Sequence, residues 1–100
     1  MIVKNILEAT DDKCTCCDSW IAHWVNITHS AASKCSITNC KGTEGLVGAH
    51  VRKVGSSDSD SYIIPLCSNH NQSDKNFEIG STKLIPITST NLCHKIWTRL

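Results

Sequence analysis

Two short-spaced pairs of metal-binding residue types constrain this chain more than any other feature: Cys35 and Cys40 in a C-x4-C spacing, and Cys67 and His70 in a C-x2-H spacing. Three thiolates and an imidazole arriving in two close pairs suit the tetrahedral sulfur and nitrogen preference of zinc. The alternative for the same four residues is a set of small buried side chains with no ion between them. The chain has 100 residues, read as a single domain over residues 1–100, and a chain of this size buries only about 60 to 70% of the surface its unfolded form exposes. With 40% hydrophobic but only 5% aromatic residues, it has few large side chains for a deep core. A metal staple is the physical supplement such a composition calls for.

The formal net charge is +1, so nucleic-acid contact would have to come from a local patch rather than from the whole molecule. Lys34, Lys41, Arg52 and Lys53 lie around the ligand pairs and are the candidates for such a patch; scattered solvated lysines are the competing reading. The first residues, Met1-Ile2-Val3-Lys4-Asn5-Ile6-Leu7-Glu8, hold no long apolar run and soon meet Asp11 and Asp12, which does not read as a secretory signal. No stretch approaches the roughly 18 apolar residues of a membrane span. Seven cysteines, an odd count in a chain without an export signal, point to metal ligation in a reducing, cytoplasmic setting. A disulfide-bonded secreted mini-protein is the competitor.

Along the chain, Asp18 and Ser19 offer cap oxygens for a short helix over residues 19–29, with Trp20, Trp24 and Ile27 as its buried stripe, Ile21 and Val25 widening it and His23 beside it. Residues 45–54 and 60–66 are rich in valine and isoleucine and flank the polar turn Gly55-Ser56-Ser57-Asp58-Ser59, which predicts a β-hairpin. Ser68 is expected to cap a helix over residues 69–77. A further strand is expected at residues 83–88, where Pro86 would confine it to a sheet edge. The tail from Cys93 to Leu100 is expected to dock Ile96 and Trp97 on the core.

Chemistry concentrates at three places. Cys35, Cys40, Cys67 and His70 would form a structural Zn2+ site joining the hairpin to the helix. Cys14, Cys16 and Cys17, with Cys93, His94, His23 or His29, form a much less regular second set. His50, in Val47-Gly48-Ala49-His50-Val51, is placed to act as a general base near neutral pH. Alternation sets Gly48 and His50 on one strand face and Val47, Ala49 and Val51 on the other. A half-buried histidine bonded to a backbone carbonyl is the bland reading of His50. Asn71, just past His70, would face the hairpin and offer a carbonyl oxygen to a Mg2+ or Mn2+ ion.

The combination Cys35-x4-Cys40, Ala49-His50-Val51 and Leu66-Cys67-x2-His70-Asn71 resembles the HNH endonuclease superfamily, especially its zinc-containing members, over residues 35–77. The resemblance implies an α+β domain with a zinc-stabilised ββα-metal, treble-clef-type core preceded by an N-terminal helix. It further implies His50 as general base, Cys35, Cys40, Cys67 and His70 as structural zinc ligands, and Asn71 at the catalytic-metal position. The chain departs from that pattern at three points: Ala49 stands where many such nucleases carry aspartate, Tyr62 where they carry the middle asparagine, and Asn71 where they carry the final histidine. Asp58, Asp60 or Asp74 would have to supply the missing carboxylate, and Tyr62 is expected to reach His50 across the hairpin.

Two functions follow as expectations. One is metal-dependent phosphodiester hydrolysis of DNA or RNA by His50. The other is a non-catalytic zinc module that binds nucleic acid or a protein partner, for which Trp20, Trp24 and Trp97 are candidate contacts. Small HNH-like proteins are often carried by phages and other mobile elements, so the resemblance admits a role in genome processing, attack or defence. A redox role for Cys14-Thr15-Cys16-Cys17 lacks the surrounding βαβ pattern.

Overall fold

A computed structural model of the chain describes residues 1–6, 19–58, 60–73 and 75–87. It is α+β. Five strands, β1 (Ile2–Asn5), β2 (Val47–Lys53), β3 (Tyr62–Leu66), β4 (Asn76–Glu78) and β5 (Ile85–Pro86), form one antiparallel sheet in the order β4-β1-β2-β3-β5. Two helices accompany it, α1 (Trp20–Thr28) and α2 (Ser68–Asn71). Among the described residues no helix is long and apolar enough to cross a membrane.

The expected helix is α1. Ser19 caps it, its side chain accepting from the Ala22 amide, and His29 closes it in the left-handed conformation at φ 56, where the chain can turn away. The hairpin is β2 and β3, with Val47 opposite Leu66, Ala49 opposite Ile64 and Val51 opposite Tyr62. Residues directly opposite share a face, so the pattern sorts the sheet into two. Ala49, Val51, Ile64 and Leu66 point to one face, where they pack with Val3, Cys35, Cys67 and Ile79. Gly48, His50 and Ile63 point to the other, which α1 covers with Trp24 against Ile63 and Ile85.

Gly48 is what lets α1 sit so close. A Cβ there would lie 2.5 Å from backbone atoms of Trp20 and Ile21, so the requirement is for space. Trp24 then fixes the helix laterally, its indole N–H donating to the Lys83 carbonyl at 2.8 Å.

Two elements differ from expectation. The helix forecast over residues 69–77 is a single turn, α2, capped by Cys67 rather than Ser68 and without a side-chain cap bond. Asn69, Asn71 and Ser73 favour local side-chain hydrogen bonds over helix. Phe77 and Ile79 alternate, and strand β4 forms instead, pairing Phe77 with Val3. The N-terminal residues, given no strand from the sequence, form β1 in the interior of the sheet between β4 and β2. Strand β5 lies at the edge with Pro86 as expected. Cys14, Cys16, Cys17, Asp74, Cys93, His94, Ile96 and Trp97 lie outside the described residues.

Candidate metal centre

Cys35 and Cys40 stand on the loop between α1 and β2. The loop closes on itself through the Cys35 amide to the Gly42 carbonyl at 2.9 Å and the Cys40 amide to the Ile37 carbonyl at 3.0 Å, with Asn39 at φ 67 making the bend. Asparagine tolerates that left-handed conformation better than most residues. Ser36 anchors the loop to β3, its amide and hydroxyl both donating to the Pro65 carbonyl at 3.0 and 2.7 Å. Ile37 bridges to Ile79 on the other side. Cys67 directly follows β3 and caps α2, and His70 lies within α2 with its ring edge-on to Phe77 at 5.2 Å. Gly42 admits the approach of the two pairs, since a Cβ there would lie 3.1 Å from the Cβ of Cys67.

These elements bring Cys35, Cys40, Cys67 and His70 into one cluster whose ligand atoms all lie within 4.8 Å of one another. The Nδ1 atom of His70 is 3.6 Å from the sulfurs of Cys35 and Cys40 and 3.0 Å from that of Cys67, and the Cys40 and Cys67 sulfurs are 4.0 Å apart. A tetrahedron with arms of about 2.0 to 2.3 Å has edges of about 3.3 to 3.8 Å. The donor set therefore fits a metal ion such as zinc. The three cysteines are free thiols, which sets aside disulfide bonding for them.

The cluster is electrostatically uneven. Burial pushes the Cys35 thiol up to about 11, against the lowering effect of hydrogen bonds from the Ile37 and Cys67 backbone. Burial also acts to raise Cys67, but hydrogen bonds from the His70 backbone and ring and from Cys35 and Cys40 outweigh it and bring that thiol down to about 7. Three thiolates this close repel, and a bound dication is what favours their common deprotonation.

The two expected catalytic residues are not brought together. His50 is 4% exposed, paired with Ile63 on the face beneath α1, with Trp20 edge-on to its ring at 5.0 Å. Asn71 belongs to the opposite face. Its backbone carbonyl and Oδ1 accept from the Nδ2 of Asn5, whose partner across the sheet is Val51. Because side chains alternate between faces, the body of the sheet separates the imidazole from the position expected to hold a catalytic metal. Nor does Tyr62 reach His50. It pairs with Val51 on the other face, and its hydroxyl donates to Asp58. Asp58 also takes Lys53 at 3.2 Å and the Asp60 amide at 2.8 Å, and its carboxyl is held below the ordinary range first by the Tyr62 bond.

The expected basic patch is divided. Lys34 and Lys41 line a groove of about 560 Å³ beside the cysteine loop, while Arg52 and Lys53 line another of about 490 Å³ with Lys4. Of the second ligand set only His23 and His29 are described: His23 is fully buried with Trp20 edge-on at 5.4 Å, and His29 is the exposed cap of α1. Sequence reasoning missed Asn5, Ser36 and Gly42, which position the cluster and its surroundings. The alternation of Val3 and Asn5 against Ile2 and Lys4 was the available signal for the first. No family model, curated protein or solved structure matches the chain.

Proposed function

We propose that the protein is a non-catalytic binding module held together by one structural zinc ion, rather than a hydrolase centred on His50. The observation that carries this reading is the division of the chemistry. Cys35, Cys40, Cys67 and His70 converge on one point, whereas His50 and Asn71 stand on opposite faces of the sheet with α1 laid over His50.

In this reading each ligand does structural work. Cys35 and Cys40 fix the loop between α1 and β2, and Cys67 and His70 fix the junction of β3 with α2, so two segments distant in sequence meet at one point. Bound zinc supplies the positive charge that keeps the three thiolates deprotonated and the folding free energy that a thin core lacks. His50 acts as packing under Trp20, its ring filling the space beside Gly48.

The test is a cleavage assay with Mg2+ and Mn2+ on DNA and RNA, using the zinc-loaded protein, His50→Ala and the better-filling His50→Leu. The proposal expects no divalent-dependent cleavage above background in any of the three. Cleavage by the wild type that disappears in a folded His50 variant would restore the hydrolase reading and overturn this one.

A further inference from the structure

We propose that the sheet face carrying Lys4 and Arg52 is a docking surface for the phosphodiester backbone of a nucleic acid. The inference deepens the binding-module reading, but it stands on residues outside the metal cluster.

Lys4 on β1 is directly opposite Arg52 on β2. Residues so paired point to the same face with Cβ atoms about 4.5 to 5.5 Å apart, and like charges in that position destabilise a sheet. Among the described residues neither cation has an acidic partner within 4 Å. A local rule broken without internal compensation is expected where a surface is shaped for a ligand. An anion bound between the two side chains converts their repulsion into attraction.

The surroundings favour phosphate. Asn76 pairs with Lys4 from the other side, so Asn76, Lys4 and Arg52 form a row across three neighbouring strands. The row borders an open groove of about 490 Å³ that also takes in Ser56 and Ser57 on the hairpin turn. Among the described residues two acids stand close by, and both are engaged: Asp58 by Lys53 at 3.2 Å and by Tyr62, Glu78 by the Met1 ammonium at 2.9 Å. The guanidinium of Arg52 presents a planar fork suited to two phosphate oxygens, Lys4 a point charge, and the amide and hydroxyls neutral donors. Among the described residues no aromatic side chain lines the groove, so these residues give bases nothing to stack on, and the contact they make is to the backbone without sequence preference. An open row three strands wide suits an extended polymer better than a compact anion.

The experiment measures fluorescence anisotropy of labelled duplex DNA and labelled RNA with the zinc-loaded full chain across a salt series, for wild type, Lys4→Gln/Arg52→Gln and Lys34→Gln/Lys41→Gln. Zinc content and thermal midpoint are measured on the same samples. The double substitution at Lys4 and Arg52 should weaken binding on the order of tenfold and reduce the slope of log K against log salt by about two, one for each lost phosphate contact. Its midpoint should equal or exceed that of the wild type, because the repulsion is gone. The Lys34 and Lys41 variant should bind as the wild type does. The proposal is overturned if the wild type binds neither polymer at low salt, if affinity survives loss of Lys4 and Arg52, or if phosphatidylserine vesicles bind and the polymers do not. A zinc-loaded protein that binds neither polymer removes this surface and leaves the zinc reading intact. Zinc-free protein that still binds through Lys4 and Arg52 does the reverse.

Discussion

Gly48 and His23 show how single residues set the position of α1. At Gly48 a side chain would collide with the backbone of Trp20 and Ile21 at 2.5 Å, and backbone cannot rotate away. Gly48→Ala should therefore lift the first turn of α1 from the sheet and cost about 1 to 3 kcal/mol, read as a lower denaturation midpoint in urea. His23, fully buried beside Trp20, has its pKa lowered from 6.5 by burial. The unfolded chain thus binds a proton there more readily than the folded one. The stability this residue contributes is fully present above its unfolded pKa of about 6.5 and is lost as pH falls below that value toward the folded pKa. Unfolding free energies measured between pH 7 and pH 5 should fall for the wild type, and less steeply for His23→Leu. An equal fall in both would show that His23 is not the group responsible.

Among the elements, those whose evidence is local were readable in advance. Helix α1 carries its cap at Ser19 and its stripe at Trp20 and Trp24, the β2–β3 hairpin carries its polar turn, and Pro86 marks an edge. Strands β1 and β4 were hard to read, because an alternation over four or three residues is too short to separate from chance, and each exists only through pairing with segments far away in sequence. The same non-local pairing decides the site. The spacing of Cys35, Cys40, Cys67 and His70 was legible, since ligand pairs are short-range features. The separation of His50 from Asn71 was not, because it depends on which face α2 joins. Asn5 makes that choice tangible: it is 5% exposed, and its amide nitrogen bonds the carbonyl of Asn71, tying β1 to α2. Asn5→Ala should cost about 1 to 3 kcal/mol through the lost buried hydrogen bond. Amide hydrogen exchange should then quicken in α2 and β1 while α1 stays protected; uniform acceleration across all elements would contradict the local link.

At the scale of the whole molecule, the described residues form two thin cores on the two faces of one sheet, one under α1 and one around the cysteines. Neither contains many large side chains, and the cysteine side is closed by loop and a one-turn helix. A structural zinc contributes on the order of 10 kcal/mol, against a usual total of about 5 to 15 kcal/mol for a domain. Chelation should therefore abolish the cooperative thermal transition, and re-adding zinc should restore it. A transition unmoved by chelation in metal-depleted protein would mean that the apolar cores suffice.

The most direct test of the central claim is native mass spectrometry of the reduced protein, comparing wild type with Cys67→Ser. One zinc ion held by Cys35, Cys40, Cys67 and His70 is expected in the wild type, and its loss in the variant. Wild-type protein that retains no zinc, or a variant that keeps its full complement, would contradict it.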